Sequence, residues 1–105
     1  MNTYKLVVYV PLTHADRVRE AIGSVGGGRL GNYSHCSFSS RGQGRFLPLD
    51  GANPHIGTVG TPEVVEEEQI EITIEEEFLV EVIRAMKDAH PYDEIAYDVY
   101  IKEGI

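Results

Sequence analysis

Apolar residues along this chain fall alternately into strand-like and helix-like spacings. From Leu6 to Val10 every position is apolar or aromatic, so Leu6, Val8 and Val10 would face one side of a strand and Val7 and Tyr9 the other. Pro11 and Thr13 end that strand, and Thr13-His14-Ala15-Asp16 has the spacing of a capping box, with Asp in the place of Glu or Gln. A helix should follow, because Val18, Ala21, Ile22 and Val25 recur at i, i+3, i+4 and i+7 while Arg17, Arg19 and Glu20 lie off that stripe. Gly26-Gly27-Gly28 stops it, since glycine accepts the left-handed conformation that closes helix C-termini.

Tyr33 to Ser40 reads as a second strand, with Tyr33, His35 and Ser37 on one face and Cys36 and Phe38 on the other. Gly42-Gln43-Gly44 predicts a tight reversal and Arg45-Phe46-Leu47 a short returning partner, so this hairpin should project. The Gly- and Pro-rich stretch from Pro48 to Pro62 is a loop long enough to suggest function or disorder. Ile70, Ile72 and Ile74 then alternate with Gln69, Glu71 and Thr73, a strand with one core face; the acidic Glu63, Glu66, Glu67 and Glu68 before it read as a solvated rim. Glu75-Glu76-Glu77 suits a helix N-terminus, and Leu79, Val82, Ile83 and Met86 form a second one-faced stripe that Ala89-His90-Pro91 ends. Ile95, Tyr97, Val99 and Ile101 alternate as a last strand.

The order strand, helix, strand with hairpin, strand, helix, strand fits a ferredoxin-like α+β sandwich, βαββαβ with an extra hairpin. Two one-faced helices cover one side of such a sheet. Residues such as Val7 and Tyr9, or Leu6 and Val10, depending on register, would make the other side an apolar open face, which predicts burial against another chain and a homo-oligomer.

A length of 105 residues suits a single domain, 1–105. The net charge of −8, from 17 acidic against 9 basic side chains, repels the phosphate backbone and argues against nucleic acid as a partner. No apolar run approaches a membrane span and the N-terminus has no signal-peptide pattern, so a cytoplasmic protein without a membrane partner is expected. Cys36 is alone, which excludes an intramolecular disulfide and a multi-cysteine zinc site. Gly26 to Gly31 spell G-x-G-x-x-G, but they follow a helix and precede a strand, the reverse of a dinucleotide fingerprint.

His35, Cys36, His55 and His90 are the residues of a type that holds soft metals, Cu, Zn, Ni or Co. His35 and Cys36 are neighbours on a strand and would need a bulge to enter one site together. No base stands in evident reach of the Cys36 thiol, and no acid, base and nucleophile constellation points to an enzyme. The His90-Pro91-Tyr92-Asp93-Glu94 segment reads either as a ligand-binding turn or as a helix stop.

Gly31-Asn32-Tyr33, Cys36-Ser37-Phe38, Gly42-x-Gly44-x-Phe46-x-Pro48, Gly51-Ala52-x-Pro54, Gly57-x-x-Gly60, Glu63 and His90-Pro91-Tyr92-Asp93-Glu94-x-Ala96-Tyr97-Asp98 resemble the insert domain of the YqfO/Nif-three-like proteins. In that family a domain similar to the trimeric regulators PII and CutA interrupts a larger dinuclear-metal protein. The resemblance implies a stand-alone, trimeric, PII/CutA-like domain without the dinuclear site or a hydrolase role. Ile95 departs from the proline expected after that His-Pro-Tyr segment. Two functions are then open. One is a non-catalytic regulatory or ligand-binding trimer whose intersubunit cleft is lined by Tyr33, His35, Phe38, His55, His90, Tyr92 and Glu94, with the His90 turn supplied by a neighbour. The other is a protein binding a divalent transition metal as cofactor through His35, Cys36 and His55.

Overall fold

The computed structural model describes residues 1–103. Its elements run β1 (Thr3–Pro11), α1 (Ala15–Ser24), β2 (Phe38–Phe46), β3 (Glu63–Glu75), α2 (Leu79–Ala89) and β4 (Tyr97–Lys102), with 3-10 turns at Leu12–His14 and Glu76–Phe78 leading into the helices. The strands make one antiparallel sheet in the order β2-β3-β1-β4, the ferredoxin-like βαββαβ arrangement. The two most apolar strands take the centre. Leu6 pairs with Ile72 and Val8 with Ile70, and these four, with Val10 and Ile74, are sealed beneath Val18 and Ile22 of α1 and Val82 and Met86 of α2. Both helical stripes therefore bury on the same face of the sheet. The entry to α1 differs from a capping box: the Thr13 hydroxyl meets His14 Nδ1 at 2.8 Å, and the 3-10 turn rather than a side chain leads the backbone into the helix.

Three local readings are corrected. Tyr33 to Ser37 is not a strand, because Leu30 and Tyr33 close a small turn with reciprocal backbone bonds of 3.0 and 2.9 Å and His35 takes the left-handed conformation, φ 59°. This connector is pinned at Gly28, whose N–H donates to Thr73 of β3 and whose carbonyl accepts from Cys36, both at 2.8 Å. Gly42-Gln43-Gly44 is not a reversal but the middle of β2, with Gly42 opposite Glu67 and Gly44 opposite Val65. The acidic stretch before Ile70 is the first half of β3, and alternation turns Val65 and Glu67 onto the face away from the helices, where both are buried.

At its Glu63 end the β2–β3 ladder outruns β1, whose pairing reaches Glu67, and continues as a two-stranded ribbon. Projection of this ribbon, not of a hairpin within residues 33–47, gives the molecule its 46 × 24 × 22 Å extents. It also raises the radius of gyration to 14.6 Å, against about 13 Å for a compact chain of this length. The face opposite the helices is mixed rather than apolar: Val7 is buried there, Lys5 and Glu71 pair at 2.9 Å across it, and Phe38 and Tyr100 stand exposed. Among the described residues no helix is long and apolar enough to cross a membrane.

Candidate functional site

Where the ribbon leaves the sheet, the open face carries a cleft of about 750 Å³. Its floor is made by the alternate residues of three strands, Tyr9 from β1, Ser40, Gly42 and Gly44 from β2, and Glu67 and Gln69 from β3. One wall is Phe46 with the loop that follows it, including Leu49, Pro54, His55 and Ile56; the other is the turn Tyr92-Asp93-Glu94 after α2. That long loop is held shut on itself by Gly60 N–H to the Pro48 carbonyl, 2.8 Å, and Ala52 N–H to the Leu49 carbonyl, 3.0 Å. It is also tied to the facing wall, since Asn53 N–H donates to Asp93 Oδ2 at 3.0 Å. Its tip places His55 edge-on to His14, ring centroids 5.3 Å apart, and 6.4 Å from the ring of Tyr92.

Beneath the turn, His90 serves as a post. Its Nδ1 accepts the Tyr92 backbone N–H at 3.2 Å, so Nε2 carries the proton and donates to the Tyr9 carbonyl at 2.7 Å. Only the neutral ring makes both bonds. Burial holds its pKa below the ordinary histidine value, and the nearby His14 and His55 rings act in the same direction, outweighing the Tyr9 carbonyl and Glu67. His14 is also lowered, by its own desolvation and then by Arg17 and His55.

Tyr92 turns its hydroxyl onto the floor and donates to Glu67 Oε2 at 2.8 Å. Burial and this carboxylate push the phenol well above its ordinary pKa, so it remains a donor. Glu67 is 8% exposed, yet no cation pairs with it among the described residues, whereas Glu68 is paired with Arg19 and Glu71 with Lys5. The glycine at 44 has a specific cause here: a Cβ at that position would overlap the Glu67 carboxyl group. What reads as turn-forming glycine is space reserved for a side chain on the neighbouring strand.

Of the residues singled out from the sequence, His55, Tyr92 and Glu94 line this cleft and His90 supports it. Both walls come from one chain, which corrects the expectation that a neighbour supplies the His90 turn. Tyr33 is exposed on the connector. His35 lies against Gly23 at the far end of α1 and near Glu20, while Cys36 and Phe38 line a second groove with Lys5, Glu71 and Lys102. His55 packs at His14, just before the start of α1. About 15 Å of helix, its ten residues at 1.5 Å each, thus separates the His35 end from the His55 end. The metal set His35, Cys36 and His55 is not assembled, and among the described residues no three His, Cys, Asp or Glu side chains converge as a metal site. Glu67, Phe46, Tyr9 and His14 were missed. Extending the period-two pattern of β3 backwards through Val65 would have turned Glu67 inward, but nothing local announces its partner Tyr92, 25 positions away.

No family model matches the chain. It is 54% identical over 99 residues to the GTP cyclohydrolase 1 type 2 homolog of Halalkalibacterium halodurans, an alignment taking in 94% of this chain and 27% of that protein. A solved Bacillus cereus protein related to NIF3 superposes with a TM-score of 0.84 at 48% identity, covering 98% of this chain and 26% of the other. The chain thus spans about a quarter of the length of these relatives. Bacillus subtilis GlnK, solved as an ATP complex, matches with a TM-score of 0.63 at 16% identity over 97% of this chain and 84% of its own. CutA from Archaeoglobus fulgidus, a periplasmic divalent cation tolerance protein, matches at 0.64 and 15% over 98% and 87%. The latter two share the fold alone. The chain is a small Nif-three-like domain, built on the ferredoxin-like fold of PII and CutA.

Proposed function

We propose that this chain is a non-catalytic ligand-binding domain, acting as a homo-oligomer, with its site in the cleft between the His55 loop and the Tyr92 turn. The observation that supports this most is the cleft itself: large enough for a small organic ligand, walled by aromatic rings, and floored by one buried carboxylate. Its polar groups are set to hold rather than to transfer protons. His90 has both ring nitrogens engaged and Tyr92 stays protonated. The cyclohydrolase activity in the relatives' name is attached to proteins of which this chain matches about a quarter, and the domain is better read as a module that senses or regulates. ATP, present in the GlnK structure, suits this cleft poorly. Its floor presents the buried Glu67 carboxylate to a phosphate, while Arg41 and Arg45, which line its edge, project by strand alternation to the opposite face from Gly44 and Phe46. The test is an amide-resolved titration of the labelled chain with a mixture of small aromatic compounds. Saturable shifts should gather at residues 42–46, 65–69 and 92–94; shifts confined to the Cys36 groove would move the site there.

A further inference from the structure

We infer that the cleft takes a flat ligand carrying an amidine-type group, two parallel N–H donors on one unsaturated carbon, with the Glu67 carboxylate as its receptor. This rests on the reading of the cleft as a ligand site. Glu67 is more than nine-tenths buried, and the hydrogen-bond donor that the described residues give its carboxylate is one neutral phenol, from Tyr92. A carboxylate offers about four acceptor positions, and burial with so little compensation is costly until a cation or a pair of donors arrives. The cations nearest the cleft do not reach it: Arg19 holds Asp16 and Glu68, Lys5 holds Glu71, Arg45 donates to Gln43, and Arg41, at the cleft's edge, alternates with Arg45 onto the other face of β2. Oε1 lies over the Cα of Gly44, where backbone alone forms the floor. An amidine or guanidine fork matches a carboxylate in two parallel bonds, which a single ammonium or an amide cannot. The walls favour a flat group. Phe46 and His55 pack against Tyr92, centroids 6.1 and 6.4 Å away, and form a continuous aromatic wall, so a planar cation lying over Glu67 meets ring faces and edges along one side.

Benzamidine and its neutral near-isostere benzamide separate the possibilities when each is titrated into the labelled chain and read by amide spectra. Benzamidine should shift residues 42–46, 65–69 and 92–94 saturably and bind at least about ten-fold more tightly than benzamide. Glu67→Gln should weaken benzamidine by at least about ten-fold and leave benzamide unchanged. Tyr92→Phe, which keeps the carboxylate, should retain the preference even if the Glu67 variant does not fold. Equal affinity of the two compounds in the cleft would overturn the amidine class while leaving a ligand site in place. Shifts from neither compound would overturn this inference and count against the ligand site as well. If Glu67→Gln then dissolved an oligomer seen by light scattering, Glu67 would belong to a contact between copies instead.

Discussion

His90 makes two backbone hydrogen bonds that only a neutral ring can satisfy, and its folded-state pKa lies below the ordinary value of 6.5. The unfolded chain therefore binds a proton that the folded one resists. Its contribution to stability is complete above about pH 6.5 and is lost as the pH falls from there towards the folded value. The denaturant midpoint should drop between about pH 7.5 and 5.5, and His90→Gln should flatten that slope, part of which His14 supplies. A variant as pH-sensitive as the wild type would show that His90 is not the titrating group. His90→Ala orphans the Tyr9 carbonyl and the Tyr92 N–H, at a cost of about 1–3 kcal/mol for each group that water does not reach. Gly44 offers a second test at this scale. In Gly44→Ala the new methyl must displace the Glu67 carboxyl from Tyr92, so the phenol should titrate closer to 10, read from its ring carbon by NMR. An unmoved phenol would mean that Glu67 does not hold it.

At the scale of elements, two glycines should behave in opposite ways. Gly28 takes φ +79°, bridges β3 to Cys36 through its N–H and carbonyl, and leaves no room for a Cβ beside the Cys36 backbone. Gly28→Ala should therefore cost more than about 2 kcal/mol, from left-handed strain plus a clash that backbone cannot yield to. Gly42 sits mid-strand with open space where a Cβ would go, and Gly42→Ala should be neutral or stabilising by up to about 1 kcal/mol. Equal unfolding midpoints for the two would refute this account of the connector. The same contrast explains what the sequence made legible. Ile70, Ile72 and Ile74 and both helical stripes report a periodicity set by one neighbour layer, so the fold class, the two helices and the core could be read directly. Gly44 and Glu67 are correlated across strands, and a glycine that accommodates a partner 23 residues away looks like any turn glycine. The His55 loop posed the same difficulty: its anchors, Asp93 and Tyr92, lie about 40 residues on and leave no periodic trace.

For the molecule as a whole, the open sheet face is the surface through which the proposed oligomer would form. Phe38 is 68% and Tyr100 55% exposed on it, flanking the Lys5–Glu71 pair and sharing the face with the cleft. Rings that protrude from a surface already tied by an ion pair gain little within one chain, but burying each against a copy would remove apolar area worth roughly 25 cal/mol per Å² from water. Both walls of the cleft come from one chain, so assembly would cover or narrow the cleft rather than create it. Light scattering should give a trimer, three times 11.7 kDa or about 35 kDa. Phe38→Asp should lower that mass to the monomer's while the core, which Phe38 does not touch, keeps its amide pattern. In a protein monomeric from the outset the same substitution would shift stability by no more than about 0.5 kcal/mol and leave the mass at 11.7 kDa throughout. That result would leave the cleft as a single-chain site and remove the oligomer from the proposal.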